Sequence, residues 1–338
     1  MRLMLDLSVY KQNNAMISIT EFTKTLAEEL YLSGRYGTAR AYVSAARRFV
    51  CFTEDTDFRF TGINPSLIKK YEQSLFAQGC KRNSVSLYMR MLRSICNQAS
   101  ARGVASIQRG VFDNVFTGTD SCNKRAVPVS VIQRICELNP SVCSPALSFA
   151  RDLFLLCFYL RGIPFVDLAY LRKSDVCGDT LRYRRKKTNV LLTVMLEPCS
   201  LAILRKYTPL AQGSPYLLPI LTLEGRQGYR QYQNALRSYN NHLRALSQML
   251  GLKENLTSYV ARHSWATAAY REGVPVAVIS ECLGHSSEKV TYNYLASFAN
   301  RTLRQANRKV IALLTPRVSS PLSPPGNSRQ KWQNKAFR

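Results

Sequence analysis

The sequence predicts a mainly α-helical protein with one small β-sheet, divided into two domains. Three observations lead there. Apolar residues recur at three- and four-residue spacing through most of the 338 positions, the pattern of helices that bury one face. Alternation with β-branched residues is confined to residues 180–196, which limits the sheet to a hairpin. A polar, glycine-bearing stretch at 109–124 interrupts the helical pattern, and a chain of this length suffices for roughly two domains.

Residues 1–15 are expected to be a flexible extension, because Ser18-Ile19-Thr20-Glu21, just past Met16, reads as a capping box opening the first helix. The first domain, 16–108, holds four helices with apolar stripes at Phe22-Leu26-Leu30, Tyr42-Ala46-Phe49, Leu67-Ile68-Tyr71-Leu75 and Val85-Tyr88-Leu92-Ile95. Gly34 and Gly37, the Asn64-Pro65 pair and residues 79–83 separate them. The second helix sets Arg40, Ser44 and Arg47 along one side, and the fourth carries Arg90 and Arg93 after Lys81-Arg82. On one helix such a stripe fits a solvated face equally well. On two helices of so basic a chain it points to phosphate contact.

After a linker at 109–124, the second domain, 125–314, opens with a helix capped by Ser130, a buried helix over 144–160 and a short one after Pro164. A hairpin follows over 181–195, with Lys187-Thr188-Asn189 at its turn. Helical spacing returns over 229–250, 257–272, 274–282 and 289–314. The tail, 315–338, combines Pro316, Pro321, Pro324 and Pro325 with five basic residues and no acid, and is expected to be disordered and basic.

Lys and Arg number 47 against 21 Asp and Glu, a net charge of +26. Such self-repulsion must be offset by a polyanion or by counterions, with nucleic acid the first candidate partner and an anionic membrane surface the second. The longest uncharged apolar run of the second domain, 153–160, has eight residues bracketed by Asp152 and Arg161, far short of the ~20 that span a bilayer. Residues 1–10 lack a continuous apolar stretch, so no secretory signal is expected and the location is cytoplasmic. The ten cysteines are never closer than seven residues apart, which offers no zinc or redox spacing. Most have apolar neighbours, as Cys136 has Ile135, and read as reduced core thiols. Neither a GxGxxG nor a phosphate-cradling P-loop occurs, so nucleotide-driven work has no support.

The chemistry-bearing segment places Arg262 and His263 on a helix, His285 after the Leu283-Gly284 turn, and Tyr292 and Tyr294 beyond it. Arginine grips phosphate bidentately and keeps its charge. A tyrosine, with pKa near 10, needs such neighbours to act as a nucleophile. Two residues on a helix lie about 200° apart, so only one of the two tyrosines can face a common site.

The string Arg262-His-Ser-Trp-Ala-Thr267, the Leu283-Gly284-His285 turn and a tyrosine nine residues past that histidine resemble the tyrosine recombinases, the site-specific integrase and invertase family. The resemblance spans nearly the whole chain. It implies an N-terminal four-helix core-binding, SAM-like domain and an α-rich catalytic domain, the two clamping double-stranded DNA like a C. By resemblance Tyr294 attacks the scissile phosphate to give a 3′-phosphotyrosine, while Arg262 and His285 stabilise the transition state. Lys187 aligns with the family's lysine that protonates the leaving oxygen, with Lys186 a competitor one register away. His263 would give a supporting hydrogen bond. No metal, ATP or other cofactor is implied. The resemblance also implies a homotetramer on two sites, a monomer or weak dimer when free, and a last helix, 298–314, packed partly in trans.

Two positions depart from the family pattern. Tyr259 stands where most members have histidine or lysine, on the same helical face as Arg262. Pro164 stands where the family's first arginine falls, and Arg161 lies three residues earlier. A variant branch of the family resembles this shifted Arg-Gly pair, so Arg161 would enter the site; as a plain helix C-terminal cation it would contribute about 0.3–1 kcal/mol. The rival functions are a non-catalytic DNA-binding accessory protein and a type IB topoisomerase-like relaxing enzyme.

Overall fold

The capping box at Ser18 forms as the sequence predicts: the Ser18 hydroxyl accepts from the Glu21 amide at 3.2 Å and the Glu21 carboxylate accepts from the Ser18 amide at 3.4 Å. It starts α1 (Ile19–Leu32), which α2 (Tyr36–Thr53), α3 (Pro65–Ala77) and α4 (Arg82–Ala101) follow. The structure, a computed structural model, describes residues 17–120, 125–139, 143–292, 295, 307–308 and 311. Asn64 caps α3 by accepting from the Leu67 amide at 2.9 Å, and Pro65 suits the first turn because its missing N–H would have no partner there. The apolar stripes of the four helices meet in one core, where Phe49 sits edge-on to Tyr71 at 5.1 Å and to Phe58 at 5.4 Å.

The stretch expected as a linker behaves differently over its described part. Val111, Phe112 and Val115 are buried in the first core. The Phe116 amide donates to buried Glu72 at 2.6 Å, Ser86 donates to the Gly118 carbonyl at 2.6 Å, and Asn83 and Asp120 exchange two hydrogen bonds. Residues 109–120 are thus a strap pinned across α3 and α4. Its hydrogen-bonded anchors at 116, 118 and 120 are main-chain amides and carbonyls, which the residue pattern does not display.

The second region begins with α5 (Val129–Glu137), two residues earlier than a Ser130 cap would allow. Pro128, at φ −58° and ψ 153°, turns the chain into the helix instead. Next comes α6 (Pro145–Tyr159), capped by Ser144 and buried on nearly every side. The short α7 (Phe165–Ala169) follows Pro164. The sheet is antiparallel, β1 (Val176–Cys177), β2 (Thr180–Arg184) and β3 (Leu191–Met195), in that order, with Thr180 opposite Met195 and Arg184 opposite Leu191. β1 was not expected; two residues are too few to show alternation.

α8 (Pro198–Tyr207) was also not expected. Charges dock it: Asp152 of α6, 3% exposed, accepts from Arg151, from Lys206 at 2.8 Å and from Tyr207 at 2.7 Å. α9 (Gly225–Met249), α10 (Val260–Arg271), α11 (Val276–Leu283) and α12 (Glu288–Tyr292) follow in chain order. Among the described residues no helix is long and apolar enough to cross a membrane.

The thiols correct another expectation. Of the described cysteines only Cys96 and Cys157 are buried, while Cys51, Cys136, Cys177 and Cys199 are exposed. Adjacent helical residues point about 100° apart, so Ile135 enters the core and Cys136 leaves it. Residues 1–15, the tail 315–338, Tyr294 and most of the expected last helix lie outside the described residues.

Candidate active site

Arg262 lies in the first turn of α10 and is 2% exposed. A guanidinium that deep needs acceptors, and it has them. Nη1 donates to the Gly162 carbonyl at 2.8 Å, and Nη2 donates to the Leu283 carbonyl at 2.7 Å and to His285 Nε2 at 2.9 Å. Gly162 brings the loop after α6 this close because it has no side chain. At its φ of +71° a Cβ would stand 3.0 Å from the Arg262 Cα.

Arginine only donates, so His285 Nε2 must accept, which leaves Nδ1 to carry the proton and donate to Thr291 Oγ1 at 2.9 Å. Thr291 is fully buried on α12. Burial, and then the charges of Arg262, Arg185 and Lys187, push the His285 pKa down to about 3. The imidazole is therefore a neutral acceptor toward Arg262 at ordinary pH.

The turn carrying His285 is held from the hairpin side as well. Arg185, 7% exposed, donates through Nε to Asp167 at 3.0 Å and through Nη1 to the carbonyls of Leu283 at 2.7 Å and Gly284 at 3.2 Å. Asp167, from α7, also accepts from the Lys186 amide at 2.8 Å, and Thr188 donates to the Gly284 carbonyl at 3.2 Å. Sequence reasoning missed Arg185, Asp167 and Thr291. A signal existed for Arg185: the alternation that buries Leu181 and Tyr183 continues to it.

The two lysines at the turn part company. Both are exposed, and the Lys187 charge is one of those acting on His285. The Lys186 ammonium lies 4.3 Å over the Tyr170 ring, and partial desolvation there lowers its pKa. Arg161 has a φ of 56°, rare for a residue with a side chain. It reaches the Thr193 carbonyl at 3.5 Å and lines, with Gly284 and His285, a cleft of about 1090 Å³.

Tyr259 is the N-cap residue of α10, with helical backbone and its carbonyl accepting from the His263 amide at 3.1 Å, and it is 47% exposed where Arg262 is buried. His263 follows Arg262 on α10 and is half-buried. Tyr292 is exposed, and Tyr294 lies outside the described residues. In the first region Arg40, Arg47, Lys81, Arg90 and Arg93 are exposed, whereas Arg82 pairs with Asp120 at 3.1 Å and stacks 4.2 Å over Phe116. Among the described residues no three His, Cys, Asp or Glu side chains gather as a metal ion would require.

Comparison with known proteins gives this arrangement its context. The model of the phage integrase SAM-like domain matches residues 18–110, and that of the phage integrase family matches residues 131–301. The chain belongs to the phage integrase family. A tyrosine recombinase of Pseudothermotoga lettingae is 26% identical over 274 residues, covering 76% of this chain and 86% of the relative. The tyrosine recombinase XerC of Syntrophus aciditrophicus is 23% identical over 317 residues, covering 86% and 96%. The fold is similar to that of the XerH site-specific recombinase in its post-cleavage complex with a palindromic difH substrate, with a TM-score of 0.59 at 14% identity, over 86% of this chain and 84% of that one. As a tyrosine recombinase of the phage integrase family, the protein is an enzyme of site-specific DNA recombination.

Proposed function

We propose that this recombinase cuts and rejoins double-stranded DNA through Tyr294, with Arg262, His285, Lys187 and Arg161 around the scissile phosphate. The observation that carries the reading is the buried Arg262 guanidinium hydrogen-bonded to His285, which in turn lines one cleft together with Arg161. The Tyr294 phenol loses its proton to solvent as its oxygen bonds to phosphorus, the bond from phosphorus to the 5′ oxygen breaks, and Lys187 supplies that leaving oxygen's proton. The 3′-phosphotyrosine ester keeps the energy of the broken phosphodiester, so a 5′ hydroxyl of another strand reverses the step. Fixed cations stabilise the added charge of the pentavalent transition state. Tyr294, nine residues past His285, is taken as the nucleophile by the family spacing, and Tyr292, two residues earlier, is exposed.

Arg161 takes the place of the family's first arginine. Its support is a left-handed backbone, which costs about 1–2 kcal/mol, at a point where the side chain borders the cleft. Tyr259 and His263 supply support around α10. Arg40, Arg47, Lys81, Arg82, Arg90 and Arg93 hold phosphates from the first domain, residues 16–108, joined through 109–124 to the catalytic domain, 125–314. Because each Tyr294 cuts one strand, two recombining duplexes need a homotetramer, assembled on DNA in the cytoplasm.

The test is covalent capture of the full chain on nicked duplexes drawn from a randomised pool, read as a denaturant-resistant adduct. The wild type is expected to form adducts and Tyr294→Phe none. DNA retention without an adduct makes the protein a DNA-binding accessory instead. If Arg161→Ala reacts at the wild-type rate, Arg161 is only a helix-end cation.

A further inference from the structure

We propose that Arg185 is a positioning residue: tied at once to Asp167 and to the carbonyls of Leu283 and Gly284, its guanidinium fixes the hairpin turn bearing Lys187 against the turn bearing His285. The inference rests on the reading of Lys187 as the proton donor to the leaving oxygen. Arg185 does not touch DNA in this role. It is 7% exposed, and its Nε and Nη1 are committed to protein acceptors on two separate elements.

The backbone around it shows what is being held. The Arg185 amide donates to the Val190 carbonyl at 2.9 Å and its carbonyl accepts from the Asn189 amide at 2.9 Å, so Arg185 forms the neck of the turn 185–190. Lys187 stands at the exposed end of that turn. Without the neck anchored, a long lysine side chain on a six-residue loop has no reason to return to one place. Arg185 and the neighbouring turn are also fitted to each other. Gly284 has a φ of +61°, and a Cβ there would stand 2.7 Å from the Arg185 Cδ. Arginine is required because a planar fork can serve a carboxylate on one side and carbonyls on another, while one ammonium cannot.

Burying a charge costs several kcal/mol unless it is paired, and Asp167 offsets that cost. The pairing carries the geometry further. Asp167 sits on α7, just after the Arg161-Gly162 loop, and also accepts from the Lys186 amide. One side chain therefore joins the elements that present Arg161, Lys187 and His285.

The experiment measures adduct formation by the full chain on two nicked duplexes of one sequence, taken from those the wild type captures. One has the natural bridging oxygen at the scissile 5′ position and the other a bridging sulfur. A thiolate, with a parent pKa near 8.5, leaves without a proton, so that duplex does not need Lys187. Arg185→Lys keeps the charge, and Asp167→Asn with Arg185→Gln removes both members so that no lone charge is buried. Both variants are expected to react about 10²-fold more slowly than wild type on oxygen and close to the wild-type rate on sulfur, as is Lys187→Ala. Slowing of the double variant by one factor on both duplexes, or on neither, overturns the positioning role. A wild-type chain that forms no adduct on either duplex overturns the recombinase chemistry beneath it, and the wild-type lanes alone distinguish that failure.

Discussion

The catalytic reading turns on side chains whose neighbours leave them little freedom. Gly162→Ala would place a methyl 3.0 Å from the Arg262 Cα and 3.2 Å from its Cγ, at a φ of +71° that costs an alanine about 1–2 kcal/mol. The loop or the arginine must move. We expect adduct formation to fall at least about tenfold, the rate equivalent of about 1.4 kcal/mol, with a modest loss of melting temperature; full activity would show that Arg262 tolerates displacement. His285 gives a pH dependence of definite sign. Its ordinary pKa is 6.5 and its folded value about 3, so between those values the unfolded chain binds the extra proton and acid favours unfolding. Its contribution is complete above about pH 6.5 and is lost as pH falls toward 3. Melting temperatures from pH 7 downward should fall more steeply for wild type than for His285→Gln, and parallel curves would refute the depressed pKa. Arg262, His285 and the turn glycine were legible in the sequence because spacing along the chain carries them. Asp167 was not, and for Arg185 the alternation showed only its burial, because the roles of both are set by partners 18 and 98 residues away.

At the scale of elements, the helices were legible where an apolar stripe ran for several turns, as in α1 to α4 and α6. α8 escaped because its docking rests on Asp152, Lys206 and Tyr207 rather than on an apolar face alone. The strap 109–120 escaped for a related reason: its anchors are backbone amides and carbonyls, which the sequence does not display. Glu72 is the key one, 4% exposed and bonded to both the Phe116 amide and Lys69 at 2.6 Å. Glu72→Ala leaves a buried amide without its acceptor, at a cost of about 1–3 kcal/mol. Hydrogen exchange at Phe116 should quicken by about tenfold or more, with the urea midpoint lowered. Unchanged exchange at that amide would mean the strap is held by its apolar residues alone.

For the whole molecule, the two helical regions meet at the start of α9. Arg226 pairs with Glu28 at 3.0 Å and covers the Tyr31 ring at 4.1 Å, while Tyr36 stacks on Tyr229 at 5.3 Å. An exposed ion pair contributes about 0–1 kcal/mol, an exposed cation–π contact about 0.5–1 and a stacked aromatic pair about 0.5–1.5. The seam is therefore of the order of a few kcal/mol, enough to favour contact and weak enough to open for a duplex. Once DNA is bound, its phosphates dominate: with 6–10 contacts, affinity should fall by roughly 10³–10⁵ between 50 and 200 mM salt. Arg47→Ala should reduce the slope of log affinity against log salt by about 1, and an unchanged slope would remove Arg47 from the DNA face. The seam makes the separate prediction. Glu28→Arg puts like charges together and should raise the separated population about tenfold, the equivalent of about 1.4 kcal/mol. The exchange Glu28→Arg with Arg226→Glu should restore the wild-type distribution while the net charge stays at +26. Single-molecule energy transfer between dyes on α3 and α5, recorded without DNA, reads both. If the exchange fails to restore what the single substitution opens, the contact is incidental, and opening for the duplex is governed elsewhere.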